Sequence, residues 1–228
     1  LALAAFTLQI YYDFSGFADM AIGLGRAFGL RLPENFDRPF TARSVSEFWR
    51  RWHMTLTSWF REYVFYPLER RRLPTIGQQF NILLVFCLTG LWHGPTLTFA
   101  AWGLIHGAAL ALESTTFGRW LKNAWRPLQF LYMISAVMFA WIFFRSPSLA
   151  FAAQFIGRLA GNTTGLTSLP FSMTRPLPFV DPTTWLALGL AASHWSMTTS
   201  CSHTISRGTF WAEPPSVCRR RRPWRPNS

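Results

Sequence analysis

Between Arg72 and Glu113 the chain carries no charged side chain, and a single imidazole pair, His93 and His106, interrupts its apolar character. A run of that length exceeds the roughly 20 apolar residues that cross a bilayer core. His93, within Leu91-Trp92-His93-Gly94-Pro95, is therefore expected at membrane depth, where ionisable groups are costly and are kept for function. Gly94 and Pro95 break a helix, and broken backbone at that depth needs surrounding protein or a water-filled cavity. The sequence predicts an intramembrane site.

Composition agrees with a membrane chain. Hydrophobic residues make up 50%, aromatic residues 17% and charged residues only 14%, which is atypical of a soluble domain. The net charge of +12 flanks apolar runs instead of tracking a groove, so a bilayer surface is expected as partner and nucleic acid is not. Cys87, Cys201 and Cys218 have no CxxC spacing and form neither a disulfide framework nor a zinc knuckle. No basic n-region precedes the apolar start at Leu1, so no signal peptide is read and the chain is expected to be a fragment.

Leu1 to about Gly25 is apolar but holds Asp13 and Asp19, either lumen-facing positions of a membrane helix or its interfacial end, with the second reading preferred. Gly25 to Ala42, with Pro33 and Pro39, is loop-like. Ser44-Val45-Ser46-Glu47 is a capping box that starts a helix running to about Phe65. In it Val45, Phe48, Trp49, Trp52, Leu56, Trp59, Phe60 and Tyr63 form one aromatic stripe, with Glu47, Arg50, Arg51, Arg61 and Glu62 opposite. Such a helix is expected to lie in the interface plane with Arg50 and Arg51 accessible from the cytoplasm.

His53 falls at the margin of that stripe, and spacing alone leaves a structural and a chemical role open. Phe80 to Leu112 has room for two crossings or a re-entrant hairpin, and Pro127 to Phe144 for another crossing. The Arg residues from Arg26 to Arg72, and then Arg119, Lys122 and Arg126, place both flanks of the hairpin in the cytoplasm. Residues 1–200 are read as the membrane domain; Trp185 to Trp195 is too short to span, and 201–228 is read as a basic disordered or frame-shifted tail.

On an unbroken helix His93 and His106 would point roughly 140° apart, but the Gly94-Pro95 break leaves room for both to line one cavity. A three-histidine metal site at His53, His93 and His106 is not expected, because no HExxH or close His pair supports it. A buried His without a neighbouring nucleophile fits a general base or proton relay that deprotonates a hydroxyl, with desolvation keeping the ring neutral.

The longer motifs sharpen this. Residues 9–23 (Gln9-Ile10-Tyr11-Tyr12-Asp13-Phe14-Ser15-Gly16 and onward to Gly23), Pro33-Glu34-Asn35-Phe36, Glu47-Phe48-Trp49-Arg50-Arg51-Trp52-His53-Met54, Trp59-Phe60-Arg61-Glu62-Tyr63, Gly90-Leu91-Trp92-His93-Gly94 and Trp102-Gly103 together resemble the membrane-bound O-acyltransferase family. The likeness covers about residues 8–145 and is greatest to its bacterial alginate O-acetylation branch. It implies an all-α polytopic membrane fold, a ring of transmembrane helices with re-entrant and interfacial helices around a thin centre. It also implies His93 as the catalytic histidine and His53 as the second conserved one, and it assigns no role to His106.

The function so implied is movement of acetyl from a cytoplasmic donor across the bacterial inner membrane for O-acetylation of an extracytoplasmic polysaccharide. Alternatives are D-alanyl transfer to teichoic acid with a carrier protein, or a non-catalytic membrane fragment. The partners implied are the lipid bilayer, the acyl donor and a periplasmic SGNH-hydrolase-like acetyltransferase. No resident cofactor or metal is implied; acetyl-CoA or a similar donor is a co-substrate. Family members are about twice this length, so the fragment alone is not expected to be active.

Overall fold

The computed structural model describes residues 2–70 and 77–162, and every regular element among them is helical. The expected basic tail, the short apolar segment Trp185 to Trp195 and the domain boundary near residue 200 lie outside the described residues.

The apolar N-terminal segment forms one helix, α1 (Ala2–Ala27), about 39 Å long at 1.5 Å per residue. Neither Asp13 nor Asp19 marks its end. Its C-terminal half exposes Phe17, Met20 and Leu24 at three- and four-residue spacing, continued by Phe28 just past its end, an apolar stripe suited to lipid or another helix. A left-handed Gly29 (φ 74°) follows, then an extended stretch and a single 3₁₀ turn, Pro39–Thr41.

The helix expected from Ser44 to Phe65 is not one helix. It is divided into α2 (Val45–Arg51), α3 (Met54–Phe60), a π-helical turn (Arg61–Phe65) and α4 (Tyr66–Arg70). The first break lies at His53, which adopts a left-handed conformation (φ 44°, ψ 53°). The π turn then rotates the faces again. Trp59 and Tyr63 are consequently exposed, whereas Val45, Phe48, Trp49 and Trp52 are buried against the following helices. The aromatic stripe is thus chiefly core; three- and four-residue spacing is the same for a face buried in protein and one buried in lipid.

The N-cap does form, with Ser44 Oγ accepting from the Glu47 N–H at 3.0 Å. The Glu47 carboxylate reaches one residue further back than a capping box requires, to the Arg43 N–H at 2.9 Å, and also pairs with Arg51 at 2.7 Å. Arg51 additionally donates to Thr41 Oγ1 at 2.6 Å. Arg50 and Arg51 are both half-buried.

The uncharged run folds as a helical hairpin, α5 (Gln78–His93) and α6 (Leu97–Glu113), turning at Gly94-Pro95 as expected. Each leg is about 25 Å long, short of a full hydrocarbon thickness. The legs meet backbone to backbone: a Cβ on Gly90 would strike the Phe99 carbonyl oxygen, and one on Gly103 the Phe86 carbonyl oxygen. α7 (Thr116–Asn123) bends 78° from α6. α8 (Arg126–Arg145) packs on α6 and against α1 and α2, and α9 (Leu149–Leu159) follows it. Among the described residues α8 is the helix long and apolar enough to cross a membrane by itself, and α6 with α7 qualifies only if the bent pair is one span.

Glu113, at the end of α6, locks α2 in place. Its two carboxylate oxygens accept from the Val45 N–H at 2.7 Å and the Ser46 N–H at 2.9 Å. With Ser44 on Glu47, the first three N–H groups of α2 are all satisfied. Hydrogen bonds to a charged group contribute about 1.5–3 kcal/mol, and the orphaned donors add a desolvation cost. In the full-length protein Glu113→Ala is expected to lower unfolding stability by roughly 3 kcal/mol, read by denaturant titration in detergent. A variant as stable as wild type would show that this cap carries no weight.

Candidate active site

The helix ends and the His53 break converge on one cavity of about 920 Å³, lined from α1 by Gln9, Asp13 and Phe14, from α2 and α3 by Trp49, Trp52, His53 and Leu56, and from the later helices by Trp92, His93, Trp102, Trp141, Phe144 and Arg145. That volume suits a small-molecule ligand. Asp13 faces this cavity, so the reading of it as the interfacial end of a helix is replaced by the cavity-facing alternative.

His93 is the last residue of α5, placed there by the helix-breaking Gly94-Pro95. Its Nδ1 lies 2.8 Å from the Thr89 carbonyl oxygen. A carbonyl only accepts, so Nδ1 carries the proton and Nε2 is left as the basic nitrogen. Trp102, Phe144 and Trp92 stand edge-on around the ring at centroid distances of 4.9, 5.5 and 5.0 Å, and Phe99 stacks at 6.3 Å. This aromatic wall fixes the ring plane and lowers the local dielectric.

His53 reaches the same cavity from the break between α2 and α3. Phe14 stands edge-on to it at 4.7 Å, and its Nδ1 lies 3.3 Å from Asn35 Oδ1. Burial, reinforced by the nearby His93 imidazole, pushes its pKa down to about 4, so the ring is neutral at pH 7.

His106 does not join them. It is buried in the core, with its Nδ1 accepting from Trp49 Nε1–H at 3.2 Å. Its ring lies 5.2 Å from Trp102 and stacks 6.4 Å from Phe48, tying α2 to α6 behind the cavity wall. The possibility that His93 and His106 share a cavity is thereby excluded, because the hairpin places them on α5 and α6 with Trp102 between. Among the described residues no three His, Cys, Asp or Glu side chains form a metal-binding group.

The model of the membrane-bound O-acyltransferase family matches residues 1–155, all of the segment that builds this cavity. The chain belongs to the membrane-bound O-acyltransferase family. It is 42% identical over 149 residues to a probable alginate O-acetylase of Azotobacter vinelandii, covering 65% of this chain and 30% of that protein. It is 38% identical over 165 residues to a peptidoglycan O-acetyltransferase of Helicobacter pylori, covering 69% and 30%. A teichoic acid D-alanyltransferase of Bacillus subtilis is 33% identical over 139 residues, covering 56% and 34%. The matched segment thus spans about a third of the length of these relatives.

Three cavity-lining residues, Gln9, Asp13 and Arg145, and Asn35 beside His53 have no role that sequence reasoning assigns. Gln9, Asp13 and Asn35 fall inside the family-like motifs, where their polarity amid apolar and aromatic neighbours is the available signal. Arg145 is detectable only as the charge that closes α8, and its guanidinium lies 5.7 Å from the Phe6 ring at the cavity rim.

Proposed function

We propose that this chain is the histidine-bearing part of a multi-pass bacterial inner-membrane O-acetyltransferase, carrying acetyl from a cytoplasmic donor such as acetyl-CoA toward hydroxyls of an extracytoplasmic polysaccharide. The observation that carries the reading is the pair His53 and His93 on one aromatic-walled cavity, with His93 Nε2 left free to accept a proton. In the reaction Nε2 takes the proton of an acceptor hydroxyl, the oxygen attacks the acetyl carbonyl, and the bond to the donor's leaving group breaks. The proton then passes from the imidazolium to that leaving group, a thiolate if the donor is a thioester, which restores the neutral ring. His53, neutral and facing the same space, orients the hydroxyl or the leaving group.

Exposed apolar side chains on α1, α5 and α8 support a lipid-facing setting for the helices. The acetylating relatives align over more of the chain and at higher identity than the D-alanylating one, which favours acetyl as the group moved. In this reading an extracytoplasmic SGNH-hydrolase-like acetyltransferase receives the acetyl group and passes it to the polymer.

Inside-out vesicles holding the full-length protein, given donors with a labelled acyl group, test the assignment. Label from acetyl-CoA is expected in the vesicle lumen, on polymer or on the partner protein. Transfer from a D-alanyl carrier protein instead would reassign the chain to teichoic acid modification, and transfer of neither would leave a non-catalytic membrane protein. Topology is checked at exposed Arg43, just ahead of α2, in place of half-buried Arg51. A cysteine there is expected to react with an impermeant thiol reagent in inside-out vesicles and to be protected in right-side-out ones; the opposite pattern would invert the orientation.

A further inference from the structure

His53 occupies a left-handed backbone conformation (φ 44°) that a residue with a Cβ adopts only where its surroundings hold it there. Asn35 does so from a loop distant in sequence. Its main-chain oxygen accepts from the Met54 N–H at 3.0 Å, immediately after the left-handed residue. Its side-chain oxygen accepts from the Thr55 N–H at 3.2 Å and the Thr55 hydroxyl at 2.8 Å, capping α3 from outside because His53 offers no side-chain cap. The same Oδ1 lies 3.3 Å from His53 Nδ1.

One of those contacts settles the chemistry of the others. A main-chain N–H only donates, so the Asn35 atom facing Thr55 is the carbonyl oxygen and not the amide nitrogen. The His53 nitrogen facing that oxygen must then donate, which places the proton on Nδ1 and leaves Nε2 as an acceptor. His93 has reached the same state through Thr89. The cavity is thus bordered by two imidazoles, each anchored by its Nδ1–H, a pattern suited to binding a group that donates, such as a hydroxyl.

We infer that Asn35 is a positioning residue for acyl transfer: its main-chain oxygen on Met54 and its side-chain oxygen on Thr55 hold the left-handed turn at His53, and the same side-chain oxygen holds His53 in the tautomer whose Nε2 accepts. This rests on the acyl-transfer reading of the cavity.

Because each of these side-chain contacts uses Asn35 only as an acceptor, aspartate can replace it in all of them while adding a negative charge beside the imidazole. Asn35→Asp in the full-length protein is therefore expected to reach wild-type membrane levels and retain transfer at alkaline pH. The pH profile of its His53 imidazole, followed by NMR, should move up by about one pH unit or more, because a carboxylate at this distance favours the protonated ring, which cannot accept. The other titratable or charged groups on this cavity, His93 of α5, Asp13 of α1 and Arg145 of α8, are the same in both proteins, so the difference reports on His53.

Asn35→Ala is expected to lose roughly 10- to 100-fold in transfer rate, the scale of a misplaced reacting group. A pH profile of Asn35→Asp that superimposes on wild type, a failure of that variant to accumulate, or wild-type transfer by Asn35→Ala would each overturn the inference. His93→Ala, assayed in parallel, keeps the two levels apart. If it is active the acyl-transfer reading falls; if it is inactive while the Asn35 variants behave as wild type, only the role of Asn35 falls.

Discussion

Gly103→Val should remove most of the full-length protein from the membrane, whereas Gly23→Ala should leave its level unchanged. At Gly103 even a single Cβ would run into the Phe86 carbonyl oxygen, and Gly90 on the facing leg meets the Phe99 carbonyl in the same way. Side-chain clashes can be relieved by rotamer changes, but these are contacts with main chain, so α5 and α6 would have to separate. Overpacking of an ordinary core costs about 1–3 kcal/mol, and a branched side chain pressed on backbone lies at the upper end or beyond. Against a typical stability of about 5–15 kcal/mol, a loss of 1–2 kcal/mol already changes abundance several-fold.

Gly23, by contrast, has nothing within 4 Å of the place a methyl group would take, so alanine there meets open space. Quantitative immunoblots of membranes from cells expressing each full-length variant decide the matter. Wild-type abundance of Gly103→Val would mean that the hairpin tolerates separation, and the close approach would lose its structural role. The hairpin matters to the proposed chemistry because His93 is its last α5 residue and Trp102, beside Gly103, is in the wall against that ring.

How far the sequence leads is clearest at the two histidines. The placement of His93 is legible because Gly94 and Pro95 end a helix wherever they fall, so an imidazole just before them is read at a helix end, where the structure has it. The spans of α5, α6 and α8 follow from uninterrupted apolar length, and the start of α2 from Ser44 and Glu47. His53 stands out in sequence, but its geometry does not. A left-handed residue usually announces itself as Gly or Asn, and here a histidine takes that conformation because Asn35, far away in sequence, compensates for it. The same long-range contact hides the division of the expected Ser44–Phe65 helix. Asp13 is misread for a related reason: an acid on an apolar helix looks alike at an interface and at a cavity, and only the packing of α1 beside α8 separates them. Glu113 gives no signal at all, since its partners are the main-chain N–H groups of α2.

His93→Ala has the largest expected effect on activity. The Thr89 carbonyl fixes the proton on Nδ1 and so dedicates Nε2 to proton acceptance, and His106, the other histidine of the hairpin, is committed to Trp49 inside the core. His53 stands on the cavity, but its ring is anchored at a different point of the wall and cannot occupy the place of His93. Loss of a positioned general base lowers rate by about 10²–10⁴. Alanine creates no backbone conflict at the final residue of α5, so membrane insertion and protein level should persist.

The decisive measurement is the acetyl content of the extracellular polymer in a deletion strain complemented with full-length wild type or His93→Ala at matched membrane levels. Acetylation by the variant is expected to fall to that of the uncomplemented strain. Wild-type acetyl content with the alanine protein would contradict His93 as the base, and with it the account of this cavity as the site of acyl transfer.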